Sequence, residues 1–176
     1  MPTTRSKTGK VPNSALVKEL AKRLRQPSES PDKPLVVVNR IPQTKSVHIL
    51  VIWSKWKGLA IPQRSRVIAE AFAAAFPDEN SVVRLPMGLT PGEALTQGHL
   101  RYLIVPSVRP ADHVTAKQLK DAMASAGGIL MRIGDERRLR FATRDQAQEA
   151  YRRLLTKINK PIWTLAEESV SSDESE

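Results

Sequence analysis

The order of structural signals in residues 100–165 constrains this chain most, because strand and helix patterns alternate there across short connections. Leu100–Val105 is a run of β-formers. Thr115 and Gln118 stand at capping-box spacing, where the threonine can accept the third helical N–H and the glutamine can reach back. Leu119, Ala122, Met123 and Ala126 continue one apolar face up to Gly127-Gly128, a helix stop. Gly128–Ile133 and Arg138–Ala142 read as strands around Gly134-Asp135, a favoured hairpin pair. Thr143 and Gln146 repeat the capping box before Ala147, Ala150, Tyr151, Leu154 and Ile158, and Pro161–Leu165 closes as a last strand.

That succession, β-α-β-β-α-β, predicts a ferredoxin-like domain over residues 99–165. Its helices are expected on one face of a four-stranded sheet, with the other face free to meet a ligand.

The first half has its own pattern. Asn13 or Ser14 can cap a helix with the stripe Leu16, Val17, Leu20, Ala21 and Leu24. Leu35–Arg40 and Val47–Trp53 read as a hairpin. Pro62 suits a helix start, because its missing N–H costs nothing there. Val67, Ile68, Ala71, Phe72 and Ala75 form the buried stripe of that helix, which ends before Pro77. Ser81–Met87 is a short strand, and Thr90–Gln97 a short helix that Gly98 ends. The whole is read as an α+β protein: an αββαβα domain over residues 13–98, then the ferredoxin-like βαββαβ domain.

The flanks differ in charge. Residues 1–12 are expected to be a disordered basic arm, and their polarity does not suit a secretory signal. The stretch from Ala166 to Glu176 holds five of the 18 acids and no Lys or Arg, and reads as an acidic disordered tail. The rest carries 28 basic against 13 acidic residues, an excess of +15 within a chain of net +10. Such an excess concentrates polyanions near the surface. The chain has no cysteine, which excludes disulfides, thiolate metal sites and a cysteine nucleophile. No apolar run approaches the roughly 20 residues that span a bilayer, so a cytoplasmic protein without a membrane role is expected.

In the first half, His48-Ile49-Leu50-Val51, Trp56-Lys57-Gly58 and Arg64-Ser65-Arg66-Val67-Ile68 follow one another at telling distances. Arg84-Leu85-Pro86-Met87 and Thr90-Pro91-Gly92-Glu93-Ala94 come next. This run resembles the BolA family, whose fold is similar to the KH type of nucleic-acid-binding module. The resemblance implies partnership with monothiol glutaredoxins around an iron–sulfur cluster, with a histidine ligand, and also a link to DNA. Ser65 stands where the family has that histidine, and Arg84 where a second one can occur. A neutral serine hydroxyl is a poor iron ligand and arginine is none, so no metal and no cofactor are expected. Lys57, Arg64 and Arg66 lie near one edge, and the two arginines fall in the first turn of a helix, where backbone N–H groups favour phosphate.

In the second half, Arg138-Leu139-Arg140-Phe141 with Ala147 and Ala150 resembles a degenerate RNA recognition motif. Members of that family stack bases on strand aromatics. Alternation here turns Leu139 and Phe141 inward and Glu136, Arg138 and Arg140 outward, while Ile104 replaces the other aromatic. Without the platform, about 1–3 kcal/mol of stacking per base is lost. What remains is phosphate contact by arginine.

No catalytic motif stands out. His48, His99 and His113 have no metal spacing, and Gly127-Gly128 follows a helix rather than preceding one, the wrong order for a phosphate loop. The expected function is therefore non-catalytic binding of nucleic acid, RNA more than DNA, by phosphate contacts of low sequence specificity. The candidate residues are Lys55, Lys57, Arg64, Arg66, Arg132, Arg138 and Arg140. Two alternatives are an adaptor that docks an acidic protein, and a BolA-type regulator or iron–sulfur accessory.

Overall fold

The computed structural model describes residues 13–25 and 32–169, which form a mixed α+β structure with two sheets and five α-helices. The basic arm lies outside the described residues, as does the end of the acidic stretch from residue 170 onward.

Helix α1 (Ser14–Arg23) buries Leu16 and Leu20, the centre of its apolar stripe. Asn13 precedes it without capping it; its amide donates instead to the Val36 carbonyl, 3.2 Å away. Strands β1 (Leu35–Ile41) and β2 (Ser46–Ile52) form the antiparallel hairpin, in register from Leu35↔Ile52 to Ile41↔Ser46. Helix α2 (Ile61–Ala75) carries Pro62 in its first turn and leads to β3 (Val82–Leu89), which runs parallel to β2. The sheet order is β1-β2-β3. One face packs on both helices through Val36, Val47, Ile49 and Val51 against Leu16, Leu20, Ile68, Ala71 and Phe72. Trp53 and Trp56 complete this core, edge to face at 5.8 Å, and each indole N–H is satisfied by a backbone carbonyl. Helix α3 (Pro91–Thr96) follows, with a capping box between Thr90 and Glu93.

The second sheet comprises β4 (Tyr102–Pro106), β5 (Ile129–Ile133), β6 (Glu136–Phe141) and β7 (Trp163–Glu167) in the order β5-β6-β4-β7, all neighbours antiparallel. Helices α4 (Ala116–Ser125) and α5 (Arg144–Lys157) pack on one face, burying Ala122, Met123, Ala147, Ala150 and Leu154 against Ile104, Leu139, Phe141 and Trp163. Both expected capping boxes form: Gln118 N–H donates to Thr115 at 3.1 Å, and Gln146 N–H to Thr143 at 3.2 Å. Gly134 adopts φ +60° at the first position of the β5–β6 turn, which suits the II′ hairpin connection.

Two expectations need correction. The final strand does not end at Leu165: Ala166 pairs with Leu103 and Glu167 with Tyr102, and the Glu168 N–H donates to the Arg101 carbonyl at 2.8 Å. Residues 166–168 therefore belong to the fold rather than to a tail. Nor is the second face of this sheet fully free. Ile129 joins Leu35, Ile52, Leu89, Ala94 and Leu100 in a buried cluster that unites the two sheets, with Leu50, Met87, Met131 and Ala142 packed around it. Burying these apolar faces against each other removes area that either sheet alone would expose to water. The Gln146 amide adds a polar tie, donating to the Val36 carbonyl at 2.9 Å.

Candidate nucleic-acid interface

Arg64 and Arg140, both expected to reach phosphate, are buried. Arg64 is only 7% exposed. Its Nε donates to the Leu59 carbonyl at 2.8 Å and Nη1 to the Gly88 carbonyl at 3.1 Å, while Nη1 and Nη2 grip the Glu93 carboxylate at 2.6 and 3.3 Å. The guanidinium thus ties the approach to α2, the end of β3 and the first turn of α3. Gly88 lets it pass: a Cβ there would lie 2.9 Å from the Arg64 Cβ and 3.2 Å from the Trp56 ring. The Arg64 hydrogen bonds, helped by the Thr90 backbone N–H, lower the Glu93 carboxyl from its ordinary 4.5 to about 2. Buried and bound to two backbone carbonyls and a carboxylate, Arg64 is withdrawn as a phosphate contact.

Arg140, in the second sheet, is likewise buried, at 3% exposure, but its Nε has no hydrogen-bond partner among the described residues. Its Nη1 donates to the Leu100 carbonyl at 3.1 Å, and its two terminal nitrogens meet Glu168 at 2.6 and 3.0 Å. These bonds hold the Glu168 carboxyl below its usual range. The expected outward position was right in parity, since Arg140 faces away from α4 and α5. What covers it is the seam between the sheets, where its cross-strand neighbour Ile129 is buried. Arg140 too is withdrawn.

Arg138 is half-buried and paired with Glu136 at 2.7 Å and, more distantly, Glu168 at 3.8 Å. Arg132 is exposed and reaches Asp135 at 3.5 Å. Both carry charge that a neighbouring carboxylate already offsets.

Lys55, Lys57 and Arg66 differ from the other four. All three are exposed, and no ion pair engages them among the described residues. Lys55 sits in the 3-10 turn Ser54–Trp56, Lys57 follows it, and Arg66 is in the second turn of α2. Buried Trp56 anchors that turn through its indole bond to the Val51 carbonyl, so the lysines project from a fixed base. Gly58 takes φ +83° with open space around it, and allows the chain to turn into α2. An open cleft beside the turn is lined by Ser54, Lys57, Gly58, Arg64, Thr90, Pro91 and Glu93.

No protein-family model, curated protein or solved structure matches this chain.

Metal chemistry finds no assembled donor set among the described residues, where no three His, Asp or Glu side chains converge. Ser65 donates its hydroxyl to the Pro86 carbonyl at 2.9 Å, fastening α2 to β3. No helix among the described residues is long and apolar enough to cross a membrane. Sequence reasoning missed Glu93 and Glu168, the carboxylates that neutralise the two buried arginines. Thr90-Pro91-Gly92-Glu93 carries a capping-box spacing that marks Glu93 as structurally engaged; nothing local marks Glu168.

Proposed function

We propose that this chain is a non-catalytic binding protein that contacts nucleic acid, RNA more than DNA, through phosphate groups at the corner formed by Lys55, Lys57 and Arg66. The observation that carries this reading is the contrast within the seven candidate cations: these three remain exposed and unengaged, and four have carboxylate partners. Phosphate can exchange with counterions at the former without first displacing a carboxylate. Arg138 and Arg132 would add charge only by rearranging their pairs.

The αββαβα order of the first half, with β1 and β2 antiparallel and β3 parallel to β2, supports a BolA-like or KH-like reading. The strand order of the second sheet, counted from its own first strand, is 4-1-3-2, which supports a ferredoxin-like reading. Neither reading carries a base-stacking surface here: Phe141 is buried beneath α4 and α5, and Ile104 with it.

Affinity for single-stranded RNA measured against salt tests the proposal. Contacts to about three phosphates give a slope of log K against log salt near −2 for a single strand. A flat response would remove the basis for it.

A second reading is an adaptor for an acidic protein partner. Ile61, at the start of α2 between Lys57 and Arg66 in the sequence, is 68% exposed and offers apolar contact that phosphate recognition does not need. Complexes that survive nuclease treatment of a lysate would favour that reading over the first.

A further inference from the structure

The end of the described chain leads back toward the proposed RNA corner. Strand β7 runs antiparallel to β4, and just beyond it the Glu168 N–H donates to the Arg101 carbonyl at 2.8 Å. Continued in that direction, the chain heads toward Leu100 and the segment that precedes it. Ser169 lines an open cleft with Leu95, Gln97, Gly98 and Leu100, at the C-terminal end of α3. The opposite end of α3 borders the corner itself, because Thr90, Pro91 and Glu93 share a cleft with Lys57. Helix α3 has six residues, about 9 Å at the usual rise.

Charge shows where the acids beyond Ser169 find partners. The last described acids each meet a cation: Glu167 reaches Arg101 at 3.9 Å, and Glu168 holds Arg140 and Arg138. The cations beside Ser169 are therefore already offset. Asp173, Glu174 and Glu176 follow, with no Lys or Arg among them. At the far end of α3, Lys57 and its neighbour Lys55 are exposed and carry no ion pair among the described residues. We infer that residues 170–176 fold back along α3 and set their carboxylates against Lys57 and Lys55, so that the chain shields its own phosphate-binding corner. The reach suffices. Asp173 is four residues past Ser169, about 13 Å when extended, and Glu176 is seven past it, about 23 Å.

This contact regulates the nucleic-acid site proposed above, and so it rests on that reading. Each carboxylate–ammonium pair is exposed to water and contributes little by itself. Tethering makes the contact effective, because it holds three acids at high local concentration beside the lysines. A lone phosphate competes poorly with them. A strand with several contiguous phosphates displaces them together, so the shield favours extended polyanions over free nucleotides.

Two measurements test it, and the first involves no RNA. A water-soluble carbodiimide joins a carboxylate to an amine in direct contact, and mass spectrometry of the dilute full chain reads which peptides are linked within one molecule. Links from Asp173, Glu174 or Glu176 to Lys57 or Lys55 are expected, and they should fade as salt rises. Their absence, or links spread equally to other exposed lysines such as Lys45 and Lys117, overturns the inference. The second measurement compares single-stranded oligouridine binding by the full chain and by a chain ending at Ser169. The shorter chain should bind about fivefold more tightly at low salt, and Asp173→Asn, Glu174→Gln and Glu176→Gln together should reproduce the gain. Equal, salt-dependent affinities overturn the inference and leave the RNA contact of the corner standing. A shorter chain whose affinity ignores salt sinks the RNA reading, and the regulatory role with it, even where the cross-links form.

Discussion

Arg64 and Glu93 form a 2.6 Å ion pair that joins the fourth residue of α2 to the first turn of α3, while the same guanidinium holds the carbonyls of Leu59 and Gly88. One side chain therefore fastens three segments around the Lys57-Gly58 turn. A cation expected to hold phosphate instead supports the surface from which its neighbours project.

Replacing Arg64 should therefore act on stability first. Arg64→Met leaves two backbone carbonyls and a carboxylate without their donor, a loss of about 2–4 kcal/mol. Arg64→Lys should recover only part of it, since an ammonium cannot match the planar fork. Chemical denaturation of both variants checks this; a Met variant as stable as wild type would show that the clamp contributes nothing.

Glu93 ties the same clamp to pH. Its folded-state carboxyl is lowered from 4.5 to about 2, so its stabilising contribution is complete above about pH 4.5 and is lost as pH falls toward 2. The difference in melting temperature between wild type and Glu93→Gln should be largest near neutrality and shrink across that window. A difference constant from pH 6 to pH 2 would contradict the assignment.

Two turn glycines should respond unequally to alanine. Gly128, at φ +87°, would place a Cβ 2.4 Å from Phe141 Cε1 and 3.0 Å from the Arg140 carbonyl. Backbone strain and overpacking together predict a loss of about 2–4 kcal/mol for Gly128→Ala. Gly134 has no neighbour within 4 Å of such an atom, so Gly134→Ala should cost about 1 kcal/mol, from its positive φ alone. Equal costs, read from urea midpoints, would mean that the Phe141 contact relaxes freely.

The C-terminal segment yields a truncation test. A chain ending at Leu165 loses the Ala166 and Glu167 pairings and leaves the buried Arg140 without Glu168. An uncompensated buried cation predicts a loss of about 3 kcal/mol or more, whereas a chain ending at Ser169 keeps these bonds and serves as the control. Indistinguishable melting curves for the two would return residues 166–168 to the role of a tail.

Charge reversal separates the two classes of cation in binding. Lys55→Glu, Lys57→Glu and Arg66→Glu together should weaken RNA binding at least tenfold and flatten its salt dependence, with the melting temperature little changed. Arg138→Glu should have a smaller effect, because Glu136 and Glu168 already offset that charge. A triple variant that binds RNA as tightly as wild type would end the proposed role of this corner.

Local chemistry made much of the architecture legible. The boxes at Thr115 and Thr143, the Gly134 turn and the stripe from Val67 to Ala75 all act over a few residues, so spacing alone carries them. The β-α-β-β-α-β order followed from those signals. The fate of the arginines did not. Alternation placed Arg140 on the face away from α4 and α5, but whether that face meets water depends on Ile129, Leu35 and Leu89 packing together from distant parts of the chain.

By itself, then, the sequence determined the order of helices and strands, while several strand starts fell about two residues away, as at Tyr102, Glu136 and Trp163. It also determined which side chains point to each core and how much positive charge the chain carries. Only the tertiary structure decided which of those charges stay exposed. Burial and ion pairing depend on what arrives from elsewhere: Glu93 is 29 residues from Arg64, and Glu168 is 28 from Arg140. A cation's availability to a ligand is set by those arrivals, because a guanidinium that is buried and already neutralised by a carboxylate is out of reach of a phosphate.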